Sequence, residues 1–145
     1  MHLIPDLQAQ IRSQFPETLL RMPVSRELWQ GRVFSAYLRN TAKAIDGQMY
    51  HALVIAKVEL TPELQGKGYF RQLCTFVEEF AASHPFVQVV VHECVLNPEL
   101  AAMHQRHGYI EVPQSEGSPA SDFYKWAKRL PISLSAQLRS METSS

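Results

Sequence analysis

Apolar positions follow two different periods along this chain, and each change of period marks a boundary between elements. From Tyr50 to Leu60 a run rich in Val, Ile, Leu and Ala, bounded by Thr61-Pro62, predicts a β-strand. Directly after it, Phe70, Leu73, Cys74, Val77, Phe80 and Ala81 recur at three- and four-residue spacing. Arg71, Gln72, Glu78 and Glu79 fall mostly on the other side, so a helix with one buried face is predicted to begin near Gly68. Phe86 to Val95 is a continuous apolar run, the pattern of a buried strand.

The same reading extends to both ends. Ile4, Leu7, Ile11 and Phe15 keep helical spacing after Pro5, and Pro16 is expected to stop that short helix. Pro23, Ser25 and Trp29 fall in a less regular stretch. Phe34, Ala36 and Leu38 then alternate with Ser35, Tyr37 and Arg39, and Asp46-Gly47 signals a tight turn, so residues 32–45 and 48–60 should pair as an antiparallel hairpin. Asn97 is a good helix N-cap, Pro98 suits the first helical position and Gly108 the C-terminal cap. Asp122 to Ala127 predicts a final strand, and the serine-rich end a mobile tail. Residues 1–132 are thus expected to form one domain followed by a tail, 133–145. The elements suit an α+β domain with a mixed sheet split between two central strands.

Composition narrows the classes. A chain of 145 residues with 46% hydrophobic content suits one globular core. Lys and Arg number 14, as do Asp and Glu, so no global field recruits nucleic acid or an anionic membrane. The first residues lack a leader pattern and no window approaches a membrane span, which makes a cytoplasmic location the default expectation. Cys74 and Cys94 are too few for a disulfide framework and are expected to be reduced core thiols.

The candidate chemistry lies in Gln65-Gly66-Lys67-Gly68-Tyr69-Phe70, a glycine-bearing turn between strand and helix. Free N–H groups at such a helix start converge on an anion. The spacing fits neither the dinucleotide fingerprint nor the Walker loop, which needs four residues between its glycines and Ser or Thr after its Lys. The segment does resemble the acetyl-CoA pyrophosphate loop of the GNAT superfamily of N-acetyltransferases: Arg or Gln, two residues, Gly, one residue, then Gly or Ala. Gln65 and Gly68 fit, and Phe70 departs from the small residue expected. A second segment, Asn97 to Tyr109, resembles the family's Asn-to-Gly-Phe helix and lies where the family places it, so that the resemblance spans residues 48–127.

The resemblance implies a mixed, mostly antiparallel central sheet flanked by helices, with the strands at 50–60 and 86–95 side by side and splayed at their C-terminal ends. It implies acetyl-CoA as co-substrate in that cleft, and an amine of a small molecule, peptide or protein as acceptor. Backbone N–H groups of Val58 or Leu60 would then meet the pantetheine arm or the thioester carbonyl. Gln65, Gly66, Lys67, Gly68, Tyr69 and Phe70 would bind pyrophosphate, and Asn97 would hydrogen-bond the cofactor. The elements before the central strands would form the acceptor side. Only two strands are expected there, one fewer than the family has, and Trp29, Phe34 and Tyr37 are candidates for an acceptor pocket or for core.

Acetyl transfer by direct attack needs a neutral amine and a protonated leaving thiol. Two-residue alternation puts Glu59 on the face of Leu53, Ile55 and Lys57, as first candidate base. Glu93, near the end of the other splayed strand, is the second. His104 occupies the position where the family commonly has an acid Tyr, and it is either a proton donor or a cation at a helix end. His92, Cys94, His104 and His107 lack the spacing of a metal site, so no metal is expected. Two further classes stay open: a non-catalytic CoA-binding module, and an interaction protein in which Phe70 blocks the cradle. A homodimer is compatible with all of them.

Overall fold

A computed structural model of the chain describes residues 5–15, 24–30, 34–84, 86–95, 97–113 and 119–127. Its elements are α1 (Pro5–Gln14), β1 (Val24–Gln30), β2 (Phe34–Ile45), β3 (Gln48–Leu60), α2 (Tyr69–Ser83), β4 (Val89–Val95), α3 (Pro98–Arg106), β5 (Ile110–Pro113) and β6 (Ser121–Trp126). The strands form one six-stranded sheet in the order β1-β2-β3-β4-β6-β5. Only β3 and β4 pair in parallel, so the fold is the expected mixed, mostly antiparallel α+β sheet flanked by helices.

The β2–β3 hairpin forms where Asp46-Gly47 predicted it. Asp46 and Gly47 both hold left-handed backbone, φ 50° and 79°, the geometry whose twist matches two paired strands. Two expectations about the sheet are corrected. The stretch around Ser25 and Trp29 is strand β1, paired antiparallel with β2 from Val24↔Asn40 to Gln30↔Phe34, so three strands rather than two precede the glycine turn. Its sequence, Val-Ser-Arg-Glu-Leu-Trp-Gln, carries charge at its centre and lacks strict alternation, and the pairing with β2 overrides that weak local signal. Four-residue β5, which the sequence did not reveal, pairs with β6. The buried strand is also shorter than the apolar run: β4 starts at Val89, the Gln88 N–H donates to the His51 carbonyl, its carbonyl accepts from the Ala127 N–H, and its Oε1 accepts from the His51 N–H at 2.9 Å.

Leu38, Leu53, Ile55, Val90 and Phe123 on one face of the sheet share a core with Ile11 and Phe15 of α1, with Leu73, Phe76, Val77 and Ala81 of α2, and with Leu100 and Ala101 of α3. Each fully buried Leu, Ile or Phe here contributes about 1.5–3 kcal/mol. The alternate residues, Ala52, Val54, Val89, Val91 and Tyr124, form a second cluster. Cys74 is buried and free, its thiol pushed up to about 12 by burial, in keeping with an inert core thiol. The expected stop at Pro16, the tail at 133–145 and the side chains of Trp29 and Cys94 lie outside the described residues. Among the described residues no helix is long and apolar enough to cross a membrane.

Candidate functional site

The central strands part where the sequence placed the split. β3 and β4 pair from Ala52↔Val89 to Ile55↔His92 and no further, although β3 runs on to Leu60 and β4 to Val95. A cleft of ≈ 790 Å³ opens there, between the free edge of β3, the end of β4 and the facing side of α3. Val58, Leu60, Gln65, Gly66, Phe70, Glu93, Asn97 and His104 line it. Lys67, Gly68 and Tyr69 do not, and Tyr69 packs against the main core instead.

The glycine turn is shaped by its own backbone. Pro62–Leu64 forms one 3-10 turn, after which Gly66 and Gly68 take φ 75° and 83°, a region that favours glycine. The Gln65 side-chain amide donates to the Leu60 carbonyl at 3.1 Å and ties the turn to the end of β3. Gly68 is the N-cap of α2 and supplies no side chain to the orphan N–H groups of the first turn. A Cβ at Gly66 or at Gly68 would meet nothing within 4 Å, so the space in front of the turn is open. Phe70, expected to crowd this approach, turns its ring into the cleft wall, with its centroid 6.1 Å from that of His92 and 6.0 Å from that of His104.

At the next helix, Asn97 Oδ1 accepts from the N–H groups of Glu99 and Leu100 at 2.8 and 3.3 Å. Its oxygen therefore starts α3 as the sequence predicted and is not free for a cofactor. Gly108 follows α3 with φ 87°. Lys125 Nζ donates to the His107 carbonyl at 3.0 Å and to Glu78 Oε1 at 3.0 Å, while Arg71 meets Glu78 Oε2 at 3.1 Å, so one carboxylate joins α2 to β6 and the end of α3.

The two carboxylates proposed as bases are placed differently from expectation. A bulge leaves Ala56 without a partner between Leu38↔Ile55 and Tyr37↔Lys57, and reverses the alternation of β3 beyond it. Val58 and Leu60 therefore share the core face of Ile55, and Glu59 falls on the opposite one. There it is 58% exposed, pairs with Lys57 at 3.0 Å and does not line the cleft, which corrects the simple two-residue reading. Glu59→Gln is accordingly expected to change stability by under about 0.5 kcal/mol, read from the urea unfolding midpoint. A larger loss would show that the carboxylate makes more than a solvated ion pair with Lys57.

Glu93 does line the cleft, but both its oxygens are taken, one by Arg39 and the other by Lys43 at 2.7 Å. Lys43 also meets Asp122 at 3.2 Å, so the network spans β2, β4 and β6. Burial alone would lower the Lys43 ammonium, but the hydrogen bonds to Glu93 and Asp122 outweigh it and raise its pKa. Two cations four residues apart on one strand, Arg39 and Lys43, were the signal that could have revealed this network. Phe34 is fully buried core and Tyr37 half-buried, and neither borders the cleft.

His104 is not a solvated helix-end cation: it is 0% exposed, at the cleft wall. Burial is the main cause that lowers its pKa to about 4, with Arg71 and His107 adding to it and Glu78 opposing. The imidazole is thus neutral near pH 7, which corrects the helix-end cation reading and leaves one ring N–H as a donor. His92, which the sequence suggested only as a discarded metal ligand, lies against it. Among the described residues no three or more His, Cys, Asp or Glu gather in a metal-binding arrangement.

No protein-family model matches this sequence, and no curated protein sequence matches it. Its fold does have counterparts among solved structures. The KacTA–DNA complex aligns over 96% of this chain and 85% of that chain, at TM-score 0.54 and 16% identity. A GNAT-family acetyltransferase from Listeria monocytogenes aligns over 81% of this chain and 69% of that one, at TM-score 0.52 and 17% identity. The chain has the GNAT fold. A mutant of the AtaT toxin, bound to the C-terminus of the antitoxin AtaR and to acetyl-CoA, shares it over 66% of this chain at TM-score 0.52 and 13% identity, and the chain spans 60% of that toxin's length. Within the GNAT fold, the parted strands, the glycine turn at the start of α2 and the Asn97-capped helix are the three features that the sequence motifs marked.

Proposed function

We propose that the protein is an acetyl-CoA-dependent N-acetyltransferase, in which residues 1–132 form one domain that passes the acetyl group directly to an amine held in the same cleft. The observation that carries this reading is the meeting of a ≈ 790 Å³ cleft between parted strands with a helix start that has no side-chain cap. Ligand pockets run about 300–1,000 Å³. An uncapped helix N-terminus offers N–H donors and about half a positive charge to a phosphate. The edge of β3 from Ala56 to Leu60 has no β4 partner and can offer backbone groups to the amides of the pantetheine arm. The acetyl-CoA bound in the AtaT structure, on the same fold, supports the choice of cofactor.

In the proposed site Gly66 and Gly68 leave the backbone accessible to the pyrophosphate, and Gln65 holds the turn against β3. Lys67 is exposed and adds a cation beside it. Phe70 and Leu100 give the cleft an apolar wall. Of the titratable groups proposed for proton transfer, His104 remains at the wall, without the ion pairs that occupy Glu93. The reading is tested by incubating the chain with acetyl-CoA and a panel of small amines and peptides while following free thiol. Amine-dependent thiol release is expected. Tight CoA binding with no release above the amine-free rate would instead favour a non-catalytic CoA-binding module.

A further inference from the structure

Two imidazoles meet in the cleft wall, from different elements. His92 of β4 is 3% exposed and His104 of α3 is 0% exposed, and their rings stack with centroids 4.0 Å apart and planes 25° from parallel. His92 Nε2 and both nitrogens of His104 have no hydrogen-bond partner among the described residues. Tyr109 closes on the two rings at 4.8 and 5.3 Å, and Phe123 lies 5.5 Å from His104. Buried polar atoms are nearly always paired, so three unpaired nitrogens beside an open cleft point to groups that arrive with a ligand.

We infer that His92 and His104 form one proton-sharing unit of the cleft, with His104 meeting the reacting groups and His92 a positioning residue that acts through it. The inference rests on the acetyl-transfer reading above. A proton on either ring is stabilised by the π face of its neighbour and repels a second proton, so the pair holds one proton beyond the neutral state at most. In the transfer, a C–N bond forms as the thioester C–S bond breaks; the amine nitrogen loses one proton and the sulfur gains one. Neutral His104 has one bare nitrogen and one N–H. It accepts the first proton on the bare nitrogen and gives up the other, leaving with its tautomer exchanged and no net charge.

The groups facing the pair favour that uncharged exchange. Arg71 from α2 opposes a positive charge on both rings, His107 at the end of α3 opposes it on His104, and Glu78 of α2 is the counterweight. Tyr109 and Cys74 are held in their neutral forms by burial. His92, stacked on His104 with the planes 25° apart, holds the plane of the His104 ring at the cleft wall.

The test follows the imidazole resonances by NMR titration in the wild type, His92→Phe and His104→Phe, with CoA binding and thiol release, to water or an aromatic amine, measured on the same samples. His104→Gln replaces His104→Phe if the latter does not fold. With His104 substituted, the His92 midpoint is expected to rise by a pH unit or more, a tenfold tighter hold on its proton. His92→Phe keeps a flat ring in the stack; it should leave CoA affinity within threefold and lower thiol release at least tenfold. Midpoints that stay put in both variants, or full turnover in His92→Phe, would overturn the inference. A wild type whose rings titrate together but which binds no CoA would sink the acetyl-transfer reading, and with it the catalytic role of the pair.

Discussion

Replacing Gly68 with Glu is expected to weaken CoA binding by at least a hundredfold while leaving the chain folded. Gly68 caps α2 with φ 83°, and a side chain added there would point into empty space rather than into the protein. The fold therefore loses only the strain of a non-glycine residue in left-handed backbone, about 1–2 kcal/mol, part of which a carboxylate at a helix start returns. The ligand loses much more. A fixed anion would neutralise the helix-terminal charge and occupy the N–H groups that the pyrophosphate needs. Gly68→Ala separates the two effects, because it carries the same strain without the charge. The expected order of CoA affinity is wild type, then Gly68→Ala, then Gly68→Glu far below. Equal affinity in all three would place the phosphates elsewhere.

Acidification should destabilise the protein well before its carboxylates titrate, and the two stacked histidines should be the main cause. Burial depresses both, His104 to about 4 and His92 well below the ordinary imidazole value near 6.5. A base whose folded pKa is depressed binds its proton first in the unfolded state. Its contribution to stability is therefore complete above about pH 6.5 and is lost as pH falls towards the folded value. For His104, a fall from 6.5 to about 4 corresponds to roughly 3 kcal/mol at 1.36 kcal/mol per unit, before screening by water in the adjoining cleft trims it. His92 adds to the loss over the same range and continues it at lower pH. Against a typical total of 5–15 kcal/mol this is a large share. Urea unfolding at pH 7.5, 6, 5 and 4.5 should show a steep fall in midpoint, flatter in His104→Phe. A midpoint constant from pH 7.5 to 5 would mean that water reaches both rings and that they titrate normally.

Much of the site was legible in the sequence because local chemistry fixes it. A helix whose apolar period begins right after Gly68, a hairpin turn at Asp46-Gly47 and an N-cap at Asn97 followed by Pro98 each report on a few consecutive residues. The parting of the central strands followed from the resemblance carried by Gln65, Gly68 and the helix from Asn97. What escaped depends on pairing between distant segments. Strand β1 exists through its register with β2, and β5 through its register with β6; neither seven nor four residues of mixed character announce a strand by themselves. The bulge at Ala56 is invisible as composition, yet it turns Glu59 away from the cleft and Val58 and Leu60 toward the core. The stacking of His92 on His104 joins a strand to a helix twelve residues later, and no spacing rule foretells that two such rings will meet face to face. Glu93 showed its position but not its two cations, which come from β2.

Binding of acetyl-CoA in the cleft between the parted strands is measured by calorimetric titration of the chain with acetyl-CoA and with free CoA, paired with thermal melting. Saturable binding of both at one site is expected, with a rise in apparent stability of about 2.7 kcal/mol at a hundredfold excess over the dissociation constant. No heat of binding, together with a melting temperature that neither ligand moves, would contradict it.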